Sequence, residues 1–509
     1  MFHTVMYSIL REFGHLQRRV KETITASTIL LLISFAFGSQ SAAAIAAASP
    51  EGDTDARSMP RERSANRSWL SWSRDGSGHS SSALSTETSW ETEREQLEPF
   101  YGCTIDTIVI SGNTHTKAVT ILREMATKEG RGLDEALIRR DAAHLRGLGY
   151  FSEVRVSAED MGGGRCRLLV AISERPGLFM RVPYPVVNYD FKDGISYGLS
   201  WKIKNFRGNG EDVSLSALAR RDQDQGAGLS WNIPWFTGRR ILFRFDLLGY
   251  RRLKEPEYDD FIKEQSIGNL TLGIPVSRSL VRQLWLKTSL SFERRYSRLT
   301  LPNMHDGSVG QFCRQDFVSF GSEIVYDSRS ALLSPFDGML HQFRVRRSAS
   351  VSGLDQKYVV YGSTNCFYLP IGVNRSFIIA LEGNVREGDI PTFYEMGIGG
   401  VRDLRGFSDS DLRGTAKVVG TVQYRQQLFG PVILRIPRIG KFDFTMNGVL
   451  FLDNGALARS ILDIPKSILY TTGGLGIEVI SPFRDLLRLE VASDGTGKPA
   501  FYMTAGSDF

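Results

Sequence analysis

Cysteine and histidine are scarce, four and seven in 509 residues. There is no Cys-x-x-Cys pair and no histidine cluster, so neither a disulfide framework nor a metal site is expected, and no cofactor is implied. After residue 50 no segment approaches the run of about twenty apolar residues that a membrane-spanning helix requires. The net charge is only +6 and the pI about 9.0, without a concentrated Lys/Arg run. Nucleic acid is therefore not an expected partner. No Gly-x-Ser-x-Gly elbow or other nucleophile constellation is present, so the chain is not expected to be an enzyme. What it does contain is 50 glycines and long stretches in which apolar and polar residues alternate.

Arg18, Arg19 and Lys21 precede the apolar run Ile29 to Phe37, which leads into the small residues Ser41 to Ala48. That order predicts a secretory signal peptide over residues 1–48. A mitochondrial or plastid presequence is the competing reading, and Glu12 and Glu22 fit it poorly. Residues 49–100 are rich in Ser, Arg, Glu and Asp with scattered Trp69, Trp72 and Trp90. Such a stretch cannot bury enough apolar surface to order itself and is expected to be a disordered leader.

A small soluble domain is predicted over residues 101–176. Thr104 to Ile110 alternates as a strand and closes on Ser111-Gly112-Asn113. Ala118, Ile121, Leu122 and Met125 share one helix face, and Gly130 and Gly132 break that helix. Asp134 caps a second helix carrying Leu137, Ile138, Leu145 and Leu148. Val154 and Val156 mark a strand, and Leu168, Val170 and Ile172 mark another, giving the order βααββ. Cys103 and Cys166 each open a predicted strand, so a bridge between them requires those strands to be adjacent and parallel. No pairing is expected of Cys313 and Cys366.

From 177 to 509 the pattern becomes segments of roughly ten alternating residues separated by turns, as in a transmembrane β-barrel of about sixteen antiparallel strands. Ile241, Phe243, Phe245 and Leu247 oppose Arg244 and Asp246. Leu284, Leu286, Leu290 and Phe292 oppose Lys287, Ser289, Ser291 and Glu293. Phe442, Phe444, Met446 and Leu450 oppose Asp443, Thr445 and Asn447. A soluble sandwich alternates in the same way. The export signal favours the barrel, and so do Trp231, Trp235, Phe236 and Tyr250 near segment ends, where interfacial girdles belong. An alternating final segment ending on Phe509 adds to this.

Met396 to Gly414 is too glycine-rich and charged for a strand, yet alternating segments bracket it. A long loop in that position is usually functional. Gly399-Gly400-Val401-Arg402, Leu404-Arg405-Gly406-Phe407 and Leu412-Arg413-Gly414 resemble the signature loop of the BamA/TamA outer-membrane barrels, also called bacterial surface antigens. The resemblance implies that this loop folds back into the barrel between strands eleven and twelve. It also implies that Arg405 meets an aspartate, Asp453, on strand thirteen. Phase analysis independently places Asp453 on the polar face with Asp443 and Thr445.

Further landmarks support the likeness. Asn205 to Gly210 and Pro234-Trp235 resemble the family's early turns, and Asp327-x-Arg329 with Pro335 to Gly338 resembles its mid-barrel motif. Phe451-x-Asp453-x-Gly455 resembles a strand end, and Gly474-x-Gly476 a strand whose missing side chains leave room for the loop. Gly112-Asn113, Gly149-Tyr150-Phe151 and Ile172-x-Glu174 resemble a polypeptide-transport-associated (POTRA) domain. One departure stands out: the family commonly has a glutamate where this chain has Gln423, leaving a second carboxylate for Arg405 in doubt. The resemblance implies a bacterial outer-membrane protein, its POTRA domain in the periplasm, that assists insertion of barrel proteins or translocation of polypeptides. A two-partner secretion transporter and a passive or structural pore are the alternatives. Implied partners are the outer-membrane bilayer, unfolded or nascent polypeptides, and periplasmic accessory proteins.

Overall fold

The computed structural model describes residues 94–509 apart from 176–182, 191–193, 221–223, 253–260, 278–281, 300–310, 331–333, 373, 391–393, 402, 437–439, 481–485, 497–498 and 507–509. The expected signal peptide, the leader as far as residue 93, and Phe509 lie outside the described residues.

The soluble domain runs β1 (Thr104–Ser111), α1 (Ala118–Arg123), α2 (Glu135–Gly147), β2 (Phe151–Gly162) and β3 (Arg165–Glu174). In the sheet β3 is central, parallel to β1 and antiparallel to β2. Ile105, Ile121, Ile138, Leu145, Val154, Leu168 and Val170 form its buried core. The parallel pairing brings Cys103 and Cys166 to a Cα–Cα distance of 5.9 Å, and a disulfide joins them. Asp134 caps α2 by accepting from the Leu137 amide at 2.8 Å. Helix α1 is shorter than its periodicity suggests and stops at Arg123, before Met125. Lys117 offers no side-chain cap, and the β-branched run Val119-Thr120-Ile121 propagates a helix poorly. The amides of Ala126 and Thr127 instead bond to the Asp141 carboxylate on α2, both at 2.8 Å.

The barrel begins with β4 (Tyr184–Asp190), β5 (Gly194–Ile203), β6 (Asp212–Arg220), β7 (Asp224–Ile233) and β8 (Leu242–Arg252). It continues through β9 (Phe261–Pro275), β10 (Gln283–Leu299), β11 (Gln311–Asp327), β12 (Gly338–Ser352), β13 (Lys357–Gly372) and β14 (Arg375–Gly388). The short strands β15 (Met396–Gly399) and β16 (Ser408–Gly414) pair only with each other among the described residues. Then come β17 (Ala416–Ile436), β18 (Gly440–Ala458), β19 (Tyr470–Ile480), β20 (Leu486–Ser493) and β21 (Ala500–Gly506). Strands β4–β14 and β17–β21 close a ring of sixteen antiparallel strands. Closure pairs each strand with two neighbours, as a membrane demands because lipid offers no hydrogen-bond partner, and the shortest ladder is the one between β4 and β21.

Side-chain phase follows the two-residue repeat. Leu247, Leu286, Leu290, Phe292, Leu450 and Leu452 are exposed on the outside, whereas Asp246, Glu293, Asn447 and Asp453 are buried. An apolar exterior around a polar interior inverts the soluble-protein rule and rejects the sandwich. Two aromatics expected in an interfacial girdle are elsewhere. Tyr250 is buried, its hydroxyl donating to Asp224 at 3.0 Å, because that carboxylate lies inside the ring. Trp235 donates its indole N–H to Glu124 of the soluble domain at 2.5 Å. Phe236 is exposed and stacks on Phe243, and Trp231 bonds to Glu211 at 3.3 Å.

The turn between β5 and β6 holds the soluble domain. The Gly208 carbonyl accepts from the Lys117 amide at 3.0 Å and the Thr120 hydroxyl at 2.8 Å. Asn205 donates to the Thr116 hydroxyl at 2.8 Å, and Arg123 donates to the Asn209 carbonyl. Gly208 has φ +73°, and a Cβ there would overlap the His115 carbonyl. On the other side, Glu174 organises residues 114–116. It accepts from the Thr114 hydroxyl at 2.6 Å and from the amides of His115 and Thr116 at 2.8 and 2.6 Å. Partial burial pushes the Glu174 carboxyl up, but these hydrogen bonds outweigh it and hold it below the ordinary carboxylate range. A depressed folded value stabilises above the unfolded one and is lost as pH falls through the folded one. Protection factors of the His115 and Thr116 amides, corrected for the intrinsic pH dependence of exchange, should therefore hold at neutral pH and fall only in acid, below the usual glutamate range. Glu174→Gln should remove that pH step; an unchanged profile would refute the assignment.

Candidate functional site

The segment between β14 and β17, the eleventh and twelfth strands of the ring, turns back inside the barrel. Its apolar residues explain why it stays there: Ile398 and Leu404 are fully buried. The tip is a compact turn in which the Gly400 amide donates to the Phe407 carbonyl at 3.2 Å and the Phe407 amide to Leu404 at 3.3 Å. Asp403 pairs with Lys417 on β17 at 2.5 Å. A Cβ on Gly455 would lie 2.7 Å from Ile398, so that glycine is where the wall makes room for the loop.

Arg405 carries the contact with the wall. Its Nε and Nη2 donate to the two oxygens of Asp453 at 2.7 and 2.8 Å, a planar fork that only a guanidinium supplies. Its Nη1 donates to Glu490 on β20 at 2.8 Å. Its guanidinium lies 3.3 Å from the ring centroid of Phe451. Thr421 donates to Asp453 at 2.8 Å and completes that carboxylate's environment. Gly406, at φ +87°, donates its amide to the Tyr502 hydroxyl at 2.8 Å. A Cβ there would fall 2.7 Å from the Ser493 amide nitrogen, so this close approach needs glycine. Phe407 packs against Tyr470, ring centroids 4.5 Å apart.

The other marked residues serve different purposes. The atoms nearest to Gly474 and Gly476 belong to the barrel wall that holds the loop. A Cβ on Gly474 would collide with the Phe451 ring, and one on Gly476 would come within 2.7 Å of the Glu490 side chain. They make room for the residues that hold Arg405. Asp327 and Arg329 pair with each other at 2.8 Å, and Gly338, at φ +97°, closes the same turn. That turn carries Ser334 inward to Glu478, which pairs with Arg425 at 2.8 Å. Gln423 donates to Glu478 at 3.5 Å rather than touching Arg405. The second carboxylate comes from Glu490, which the sequence reading did not single out. Arg488 and Glu490 share one phase of β20, and that was the available signal. Two further contacts tie the loop to the junction of the first and last strands: the Val401 amide donates to Asp190 on β4 at 3.2 Å, and Gly406 reaches β21 through Tyr502.

The Omp85 superfamily domain matches residues 205–509, more than half of the chain. The chain belongs to the Omp85 superfamily. The surface antigen variable number repeat, a POTRA domain, matches residues 103–175. Among curated proteins, the chloroplastic outer envelope protein 80 of Oryza sativa subsp. japonica is 24% identical over 77% of this chain and 59% of its own length. The outer membrane protein assembly factor BamA of Neisseria meningitidis is 20% identical over 62% of this chain and 41% of its own. The chain thus spans about half the length of the curated relatives it matches. Among solved structures, BamA from Haemophilus ducreyi lacking POTRA domains 1–3 superposes with a TM-score of 0.52 at 16% identity, covering 80% of this chain and 85% of that one. CdiB from Escherichia coli gives 0.53 at 12% identity, covering 80% and 77%. As an Omp85 barrel with a POTRA domain, the chain is an outer-membrane protein whose POTRA domain lies on the periplasmic side.

Proposed function

We propose that this Omp85 protein assists insertion of barrel proteins into the outer membrane, using the seam between β4 and β21 as an edge for client strands. One observation carries the reading. The seam is registered by a single described pair, Met503 with Tyr189, whereas every other neighbouring pair in the ring registers at least seven. A short ladder leaves backbone N–H and C=O groups to be matched by an incoming strand, and such pairing tolerates almost any client sequence. Asn188 supports the reading, since its side-chain oxygen accepts from the Ala505 amide at 2.8 Å in place of a strand partner. The work is binding and release of polypeptide, with no covalent chemistry. The relative BamA of Neisseria meningitidis is an outer membrane protein assembly factor, which fits a polypeptide client.

Depletion of the protein followed by quantitative outer-membrane proteomics tests this. Loss of many barrel proteins together is the expected result. Loss of one secreted polypeptide alone would replace the reading with a dedicated two-partner transporter. Altered conductance with no client affected would reduce the protein to a passive pore.

A further inference from the structure

The loop has a second attachment that the function above does not use. Tyr394, in the stretch leading into β15, is buried, and its hydroxyl lies 3.2 Å from both carboxylate oxygens of Glu293 on β10. Glu293 is also held by Arg295 at 2.5 Å and Gln265 at 2.6 Å. The Arg295 guanidinium stands 4.3 Å from the Tyr394 ring centroid and 4.6 Å from that of Phe317 on β11, so it is sandwiched between two aromatic faces. Arg386 approaches the same ring at 5.4 Å, and Tyr358 packs beside it at 5.7 Å between centroids. In the ring of sixteen, β10 is the seventh strand and β20 the fifteenth, so Glu293 and Glu490 are on walls eight strands apart. Eight of sixteen is half the circumference. The loop is fastened to facing walls.

We infer that Tyr394 is a positioning residue and second anchor, which makes the inserted loop a bar held at both ends, so that most of its obstruction of the lumen survives while either end is seated. A loop pinned only at its tip could swing out when Arg405 lets go. A loop pinned at Tyr394 as well still crosses the lumen after that release. The two attachments are far apart and share no partner, yet both oppose one motion. Their effects on the open pore should therefore couple rather than multiply independently. The inference does not depend on which polypeptide the barrel handles.

Single-channel conductance of the full chain in planar bilayers tests it, using wild type, Tyr394→Ala, Arg405→Ala and the double variant. Heat-modifiable mobility on gels checks that each barrel is closed. Each single variant should raise mean conductance modestly, and the double should exceed the product of the two single fold-changes. Tyr394→Phe keeps the ring between Arg295 and Tyr358 but loses the bonds to Glu293, and should fall between wild type and alanine. If Tyr394→Ala does not fold, Glu293→Gln in the Arg405→Ala background replaces it and should raise conductance above Arg405→Ala alone. The inference is overturned if neither Tyr394→Ala nor, in that substitute, Glu293→Gln changes conductance beyond what Arg405→Ala produces. A loss of client assembly with unaltered conductance coupling would likewise count against the bar while leaving the assembly reading intact.

Discussion

Arg405→Ala should unseat the tip of the inserted loop from the barrel wall and sharply reduce client assembly. The reason is charge left behind. Asp453 and Glu490 are both buried, and Arg405 is the cation that bonds to each of them. Removing one member of a buried ion pair typically costs on the order of 3–5 kcal/mol, because the remaining charge keeps its desolvation penalty without compensation. Asp453 would keep its bond from Thr421, but the second oxygen of Glu490 accepts no hydrogen bond among the described residues. The orphaned charge should therefore be felt most at Glu490. Arg405→Ala combined with Glu490→Gln should recover part of the loss, whereas Arg405→Ala combined with Thr421→Val should deepen it. Arg405→Lys retains the charge but cannot fork to two carboxylates, so it should fall between alanine and wild type. Full client assembly by Arg405→Ala in membranes, measured beside normal protein levels, would remove the latch from the mechanism.

Much of this arrangement could be read from one dimension because barrels obey a strict period. Two-residue alternation assigned Asp453 to the interior without any knowledge of its partner, and the glycine-rich break between alternating segments located the inserted loop. Alternation states which face a side chain occupies, however, and is silent about what stands across the lumen. Glu490 was missed for that reason. It lies in Leu486-Leu487-Arg488-Leu489-Glu490-Val491, where leucines occupy both faces and blur the phase. Tyr394 belongs to no periodic segment at all, so its anchoring contact depends wholly on tertiary packing. Tyr250 fits a girdle or a lumen equally well until Asp224 on the neighbouring strand is placed beside it. The glycines show the same limit. Their spacing marks positions where a side chain is forbidden, but only the fold distinguishes space for the loop at Gly455 from space for its partners at Gly474 and Gly476.

Replacing the bridge in the POTRA domain, Cys103→Ser with Cys166→Ala, should destabilise that domain severely and leave the barrel closed. The two cysteines are 63 residues apart and enclose nearly the whole domain. A closed loop of that length lowers the entropy of the unfolded chain by an amount equivalent to about 4 kcal/mol. A domain of this size is stabilised by roughly 4–11 kcal/mol in total, so the bridge accounts for a large part of its margin. The bond also joins the starts of β1 and β3, the one parallel pairing in the sheet, which no tight hairpin could hold in register. Hydrogen exchange on the reconstituted protein should show β1 and β3 losing protection first, followed by the Thr116 and Lys117 contacts with the turn at 205–210. Reductant added to the wild type should reproduce the same pattern, since Cys103–Cys166 is the disulfide found among the described residues. The barrel strands should keep their protection and their heat-modifiable mobility throughout. Undiminished protection of β1 and β3 after the bridge is removed would mean that Ile105, Leu168, Val170 and their neighbours hold the sheet unaided. The domain's core would then be the larger source of its stability.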